Sequence, residues 1–310
     1  MRMFYCKRGC SSMTEQPTEK NGPSKMAEGI ALQRFAESKL PEDRRIFYDP
    51  YAVYFVDPRT LEYAKKNPLQ AKTLAEEYEK KMPGWSNSIR ARVRYFDDRI
   101  EKAAAEGFTQ LVILGAGYDT RAYRLPALKE GMTIFEVDQP QTIERKTGII
   151  TGIFHEMPDH VRFVPLDLEH DNLWDTLKKS GYSSSEKTLF VLEGLLMYLS
   201  RDAVGELFSG IAQNAGTGSI ALFDFVPQSL VDGTSDSEGG AYIRAYLSQV
   251  GELFRTGFAE NELRPYLAGL GFTGVEIVPG SIYKGMIYTG VNADRPVSGL
   301  LNFAAAVVRG

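Results

Sequence analysis

Cysteine is almost missing from this chain: Cys6 and Cys10 are the only two in 310 residues, both in the first ten. Neither a disulfide framework nor a cysteine-built zinc site can be made from them, and a reducing cytoplasm is the expected location. No segment approaches the roughly 18–20 uninterrupted apolar residues that span a bilayer. The opening "MRMFYCKRGCSSM" lacks the apolar run of about 7–15 residues that a secretory signal requires. A membrane partner is therefore not expected. Excess positive charge is also lacking, with 40 acidic against 36 basic residues. A net charge of −4 gives no general attraction to a polyanionic backbone, so no nucleic-acid partner is expected. No G-x-x-x-x-G-K-[ST] loop, G-x-S-x-G elbow or Tyr-x-x-x-Lys pair occurs. Their absence disfavours a phosphate-loop NTPase, an ordinary serine hydrolase and one common hydride-transfer arrangement. Histidine is scarce too: His155, His160 and His170 fall in loop-like segments without compact ligand spacing, so no metal is expected.

What is present reads as an α/β protein. Residues 1–27 are polar, with Pro and Gly, and are expected to be disordered, the ordered domain beginning near Glu28. Residues 28–107 read as a helical cap: a helix over Gly29 to Leu40, an aromatic-rich helix after Asp49-Pro50, a charged pair broken at Pro68, and one long helix from Ser86 to Gly107. Residues 108–226 then alternate short apolar runs with helical stretches, the pattern of parallel strands covered on both faces. Strands are expected at Gln110 to Leu114, Met132 to Val137, Arg162 to Pro165, Thr188 to Leu192 and Ser219 to Phe225. Residues 227–258 form an insert with a helix from Ala241 to Phe254, and residues 259–310 a last helix, "FAENELRPYLAGLGF", and two final strands.

Chemistry concentrates at the strand ends. "LVILGAGYDTRAYRL" places Gly115 and Gly117 after the first strand. The first glycine allows a sharp turn and the second clears space for a ligand lying on the backbone. A dinucleotide loop would carry a third glycine where Thr120 stands. S-adenosylmethionine, which has no pyrophosphate, asks less of that helix entrance; tight turns also use glycine for purely structural reasons. Asp138 ends the second strand about 20 residues on, where an acid can accept both ribose hydroxyls of an adenosine or cap the next helix. Asp167 follows the third strand on the same rim, either receiving the adenine amine, with Leu168 backbone groups at the ring, or standing as an exposed loop acid. Glu193 ends the fourth strand after an apolar run, where a buried carboxylate needs a partner; an amino group or sulfonium would supply one.

The segments "FYDPYAVYF", "RARVRYFDD", "LGAGYDTRAYRL", "FEVDQP", "LDLEH" and "LEGLLMYL", in this order from about Arg44 to Leu199, resemble the leucine carboxyl methyltransferase family, especially its bacterial O-methyltransferase branch. The resemblance implies a Rossmann-like class I methyltransferase with a seven-stranded, mostly parallel sheet ending in a reversed hairpin. It implies S-adenosyl-L-methionine as cofactor. It also implies roles for Arg92 at the cofactor carboxylate, Gly115 in the loop, Asp138 at the ribose, Asp167 and Leu168 at the adenine, and Glu193 near the methionine moiety. Helical spacing alone sets Arg92 opposite Arg90 and Arg94 without saying which faces a ligand, and pairing of Arg92 with Asp97 or Asp98 is the alternative. The segment from about Pro227 to Phe258 matches no motif.

The expected reaction is methyl transfer to a carboxylate or hydroxyl oxygen of a small-molecule, including polyketide-like, or protein acceptor. An ionised carboxylate needs no base, whereas an enol or phenol does. Tyr198, just past the strand of Glu193, is the catalytic candidate for positioning the acceptor, with core packing as its alternative. The rival readings are an NAD(P)-dependent oxidoreductase and a non-enzymatic protein that retains the fold to bind a cofactor.

Overall fold

A computed structural model describes residues 25–310 apart from Glu169. Cys6, Cys10 and the expected disordered stretch up to residue 24 lie outside the described residues.

Helices α1 (Lys25–Ser38), α2 (Pro58–Lys66), α3 (Pro68–Lys81) and α4 (Trp85–Ala105) come first. The rest of the chain alternates: β1 (Gln110–Leu114), α5 (Arg121–Arg124), β2 (Thr133–Asp138), α6 (Pro140–Phe154), β3 (Val161–Pro165), α7 (Leu173–Lys179), β4 (Thr188–Leu192), α8 (Arg201–Asn214), β5 (Ile220–Phe225). The chain then runs through α9 (Gln228–Asp232), α10 (Gly240–Val250), α11 (Leu263–Gly269), β6 (Phe272–Val278), α12 (Gly280–Ile287) and β7 (Asn302–Val308). The seven strands order as β3-β2-β1-β4-β5-β7-β6, parallel except for β7, which runs antiparallel between β5 and β6. The reversed hairpin at the end is therefore present. The boundaries follow their local chemistry. Proline opens α2, α3 and α6, where its missing N–H is not needed. Ser200 caps α8 by accepting the Ala203 N–H.

Both faces of the sheet are apolar, and successive residues of one strand serve opposite cores. Leu111 and Ile113 pack with Val93, Phe96 and Ile100 of α4, whereas Val112 and Leu114 pack with Phe190, Phe208 and Phe223. This double burial positions the site. β1 lies between β2 and β4, so the connections leaving β1 and β4 diverge to opposite faces and open a crevice beyond their carboxyl ends.

Four expectations shift. Helix α1 starts at Lys25, ahead of Glu28. The aromatic segment after Asp49 is a single 3₁₀ turn, Ala52–Phe55, because the Asp49 carboxylate takes the N–H groups of Tyr51 and Ala52, closing a turn that competes with helix. Gly251, at φ +72°, ends α10 before Leu253 and Phe254, which lie in an irregular segment. Pro265 confines α11 to Leu263–Gly269, since proline is tolerated only in a first turn.

Candidate functional site

At the end of β1, Gly115 turns the chain at φ +67°, a region that penalises any side chain, and a Cβ there would stand 3.1 Å from Leu195 Cδ1. The Ala116 N–H still reaches Val137 O, so the loop leaves the sheet under control of β2. Gly117 follows at φ +44°, and its N–H donates to Asp138 Oδ2 at 2.6 Å; Asp138 Oδ1 accepts from Gln139 N at 2.7 Å. Asp138 thus ties the glycine loop to the end of β2 as well as facing the cavity. It does not cap α6, for which Gln139 is the cap residue. Burial raises the Asp138 pKa against these hydrogen bonds.

Thr120, in place of a third glycine, is fully buried and donates to Asp49 Oδ2 at 2.7 Å. The helix it opens, α5, has four residues, and its first residue is a buried arginine. A dinucleotide-binding unit sets its pyrophosphate on the N-terminus of a helix that packs along the sheet, and this connection has no such helix after β1. The departure from the nicotinamide pattern that the sequence marks at Thr120 therefore extends to the local fold.

The expected cation for Glu193 is supplied by the chain itself. Arg92 Nε donates to Glu193 Oε1 at 2.9 Å and Arg121 Nη1 stands 2.7 Å from Glu193 Oε2. The partner that the sequence reading sought in an amino group or sulfonium is thus present within the chain. Arg92 also donates through Nη1 to Asp224 Oδ2 at 2.7 Å, and Asp224 Oδ1 takes the Gly194 N–H at 2.6 Å. Gly194, at φ +64°, is required here, because a Cβ would lie 3.3 Å from the Arg92 guanidinium. Burial works against the charge on Arg92, but Asp224 and Glu193 outweigh it and hold its pKa above the ordinary value.

Neither of the pairings proposed for Arg92 along its own helix occurs. Asp98 takes Arg94, Arg90 reaches Gln33, and Asp97 accepts from Arg121 and Arg124. Arg121 also pairs with Asp119, two residues earlier. Arg92, Arg121, Asp119 and Glu193 all line one cavity of about 1090 Å³.

The same cavity gathers the rest of the sequence-derived site. Gly115, Gly117, Asp138, Asp167, Leu168 and Tyr198 line it, contributed by the ends of β1, β2 and β3 and the turn after β4. Gln141, Thr142 and Arg145 of α6 complete the wall beside Asp138, with the Arg145 guanidinium 5.7 Å from the Tyr118 ring centre. Asp167, half exposed, has His170 Nδ1 at 3.1 Å, and its N–H donates to Asp171 Oδ2. Tyr198 sits in the turn Leu196–Tyr198, edge-on to Phe254 at 5.4 Å. Burial pushes its phenol pKa up, so the hydroxyl stays protonated, and that hydroxyl makes no hydrogen bond to another described residue.

Of the remaining histidines, His160 Nε2 is 2.9 Å from Ala122 O, and His155 ends α6 at φ +65°. Glu136, within β2, is fully buried against Lys146 at 2.7 Å and does not line the cavity.

Several residues of the site go unnamed in the sequence reading. Asp224 sits inside the apolar run "ALFDFV" and carries the same signal that marks Glu193, a carboxylate where only a partner makes burial tolerable. Trp85, Ile89, Leu253 and Phe254, which also line the cavity, resemble ordinary core residues, and nothing in their spacing separates them from core.

Comparison with known proteins identifies the family and the fold. The sequence profile of the leucine carboxyl methyltransferase family matches residues 27–212. A protein of Mycolicibacterium gilvum with the provisional name S-adenosyl-L-methionine-dependent methyltransferase is 36% identical over 186 residues, 58% of this chain and 60% of its own. A protein of the same provisional name from Mycolicibacterium smegmatis is 32% identical over 251 residues, 79% of this chain and 82% of its own. The match thus spans less than two thirds of the first of these relatives and most of the second. The fold is shared with a crystal structure from Thermobifida fusca described provisionally as a methyltransferase, at a TM-score of 0.58 and 15% identity over 77% of this chain and 88% of the other.

Proposed function

This chain belongs to the leucine carboxyl methyltransferase family, and from that premise we propose that it is an S-adenosyl-L-methionine-dependent methyltransferase acting on oxygen, with a carboxylate as the acceptor group. One observation carries the reading: the ends of β1, β2, β3 and β4 present a positive-φ glycine turn, Asp138, the Asp167-Leu168 step and Glu193 around a single cavity.

The donor set suits the cofactor. A carboxylate at the end of β2 accepts ribose hydroxyls, and a polar rim beside the apolar Leu168 accommodates an adenine. Glu193, held by two arginines yet lining the cavity, presents an acidic group to a cationic amino acid moiety, while Arg92, whose Nε and Nη1 are taken by Glu193 and Asp224, keeps Nη2 for its carboxylate. When bound, S-adenosylmethionine supplies an electrophilic methyl on a sulfonium that leaves as a neutral thioether.

The chain's own residues then have two tasks, alignment and exclusion of water. Tyr198, kept neutral by burial, is a hydrogen-bond donor at neutral pH and not a base. None of the three histidines lines the cavity, Glu193 is held by Arg92 and Arg121, and Glu252 has an interaction of its own. A site that offers no histidine and a protonated tyrosine suits an acceptor that is already ionised, which a carboxylate is at neutral pH.

Labelled S-adenosylmethionine offered with matched carboxylic acids and alcohols tests this. Methyl esters formed from the acids, with the alcohols unreactive, are expected; ethers from the alcohols alone would refute the carboxylate assignment. Absence of turnover with any extract fraction, in a protein that binds the cofactor, would favour the non-enzymatic reading.

A further inference from the structure

Resting on that reading, we infer that the acceptor is a small acid with an apolar body, held by the apolar part of the cavity lining beside Tyr198, and not the terminus of a protein. A cavity of about 1090 Å³ stands at the upper end of the roughly 300–1,000 Å³ typical of small-molecule sites. The strand ends contribute their acids to its lining, and Trp85 and Ile89 of α4, Met197, Leu253, Phe254 and Leu301 contribute an apolar part, with Phe254 against Tyr198.

This wall is built, not improvised. The segment that brings Leu253 and Phe254 is pinned to the turn carrying Tyr198: Arg255 N–H donates to Met197 O at 2.7 Å, and Thr256 Oγ1 to Leu199 O at 2.7 Å. The Tyr198 and Phe254 rings then lock edge to face. The insert that matches no motif in the sequence thereby becomes a fixed side of the acceptor chamber.

The chemistry of the wall selects the ligand. A peptide brings an N–H and a C=O with every residue, and each must find a partner when it leaves water. The six side chains named offer one polar group among them, the Trp85 indole N–H, which makes no hydrogen bond to another described residue. Glu252 and Arg255, at the edge of the chamber, already engage other groups of the protein. An aliphatic or aromatic body needs no such partners and gains from burial. Its single polar end, the carboxylate, meets the free Tyr198 hydroxyl as donor.

The test uses the full chain with S-adenosylhomocysteine and, separately, S-adenosylmethionine. The acceptors are octanoate, dodecanoate, phenylacetate and naphthylacetate, set against an N-acetylated tripeptide ending in leucine with a free carboxylate. Calorimetry with S-adenosylhomocysteine present reads acceptor binding without turnover, and steady-state kinetics read kcat and KM. The apolar acids should bind and be methylated with a kcat/KM above that of the tripeptide. Trp85→Ala and Phe254→Ala should each raise their KM roughly tenfold or more, with the S-adenosylhomocysteine Kd unchanged. Phe254→Leu, which keeps apolar volume, guards against a folding defect and should raise KM for the aromatic acids more than for the aliphatic ones. A tripeptide preferred over every acid, no binding of any acid, or a KM unmoved by these substitutions would overturn the inference. Failure to bind S-adenosylhomocysteine at all would instead remove the methyltransferase reading on which it rests.

Discussion

Replacing Asp119 by asparagine probes the electrostatic frame of the cavity with the least change in shape. Asp119 accepts the Arg121 backbone N–H at 2.7 Å and Arg121 Nη1 at 2.6 Å, and is 8% exposed. Burial alone would raise its pKa, but Arg121, then Lys146 and Arg34, outweigh it and hold the carboxyl well below the usual aspartate range. Asparagine keeps one oxygen for the backbone N–H, loses the second charge-assisted bond, and turns an amide donor toward the guanidinium. A hydrogen bond to a charged group is worth about 1.5–3 kcal/mol, and breaking one arm of a buried ion-pair cluster adds to that. Arg121 retains Asp97 and Glu193, so the expected loss is about 2–4 kcal/mol. At about 2–4 °C per kcal/mol for a chain of this class, Tm should fall by roughly 5–15 °C.

A native pKa below the unfolded value of about 3.9 means that the stabilisation is present above that pH and is lost as the carboxylate takes a proton. The gap between wild type and Asp119→Asn is therefore widest near neutrality and narrows below about pH 4. Urea unfolding followed by far-UV circular dichroism, at neutral and acid pH, measures both. A loss under about 1 kcal/mol, or a gap that does not change with pH, would refute this account of the network.

The remaining predictions address single elements. Lys146→Met strands Glu136, whose pKa burial already raises, at a cost of about 3–5 kcal/mol near neutrality. That cost should shrink as pH falls, because the carboxyl takes up a proton, and the double substitution with Glu136→Gln should restore most of the stability in urea titrations. Gly115→Ala, forced to φ +67° beside Leu195, should lose roughly 1–2 kcal/mol of stability and weaken S-adenosylhomocysteine binding by calorimetry. S-adenosylhomocysteine affinity should decline on acidification at a pH above that expected of an ordinary aspartate, since burial raises the Asp138 pKa; a pH-independent Kd down to about pH 4 would contradict its role. Tyr198→Phe should lower turnover without removing any pH dependence near pH 8–10, because the phenol is not ionised there.

Much of the core was readable because its physics is local. Alternating short apolar runs located β1 and β4 at both ends, and the ends of β2, β3 and β5 within a residue, most cleanly for the central strands, which are buried on both faces. Asp138 and Glu193 stood out because a carboxylate at the end of an apolar run must have a purpose or a partner. The partners themselves are a different matter. Arg92 meets Asp224 across 132 positions and Glu193 across 101, and no sequence spacing encodes such a pairing. The short form of the turn after Asp49 was hidden because its carboxylate competes with helix formation for the Tyr51 and Ala52 N–H groups. The acceptor wall was hidden for a third reason: a tryptophan or phenylalanine facing a cavity and one facing the core look the same in a sequence.

The central claim is that these strand ends hold an adenosyl sulfonium in a site with no place for a diphosphate. Isothermal titration of the full chain with S-adenosylhomocysteine and with NADH, repeated on Asp138→Ala, tests it most directly. The account predicts saturable binding of S-adenosylhomocysteine, none of NADH, and a clear loss of affinity in the variant. Binding of NADH in preference, or an S-adenosylhomocysteine affinity that Asp138→Ala leaves untouched in a folded protein, would contradict it.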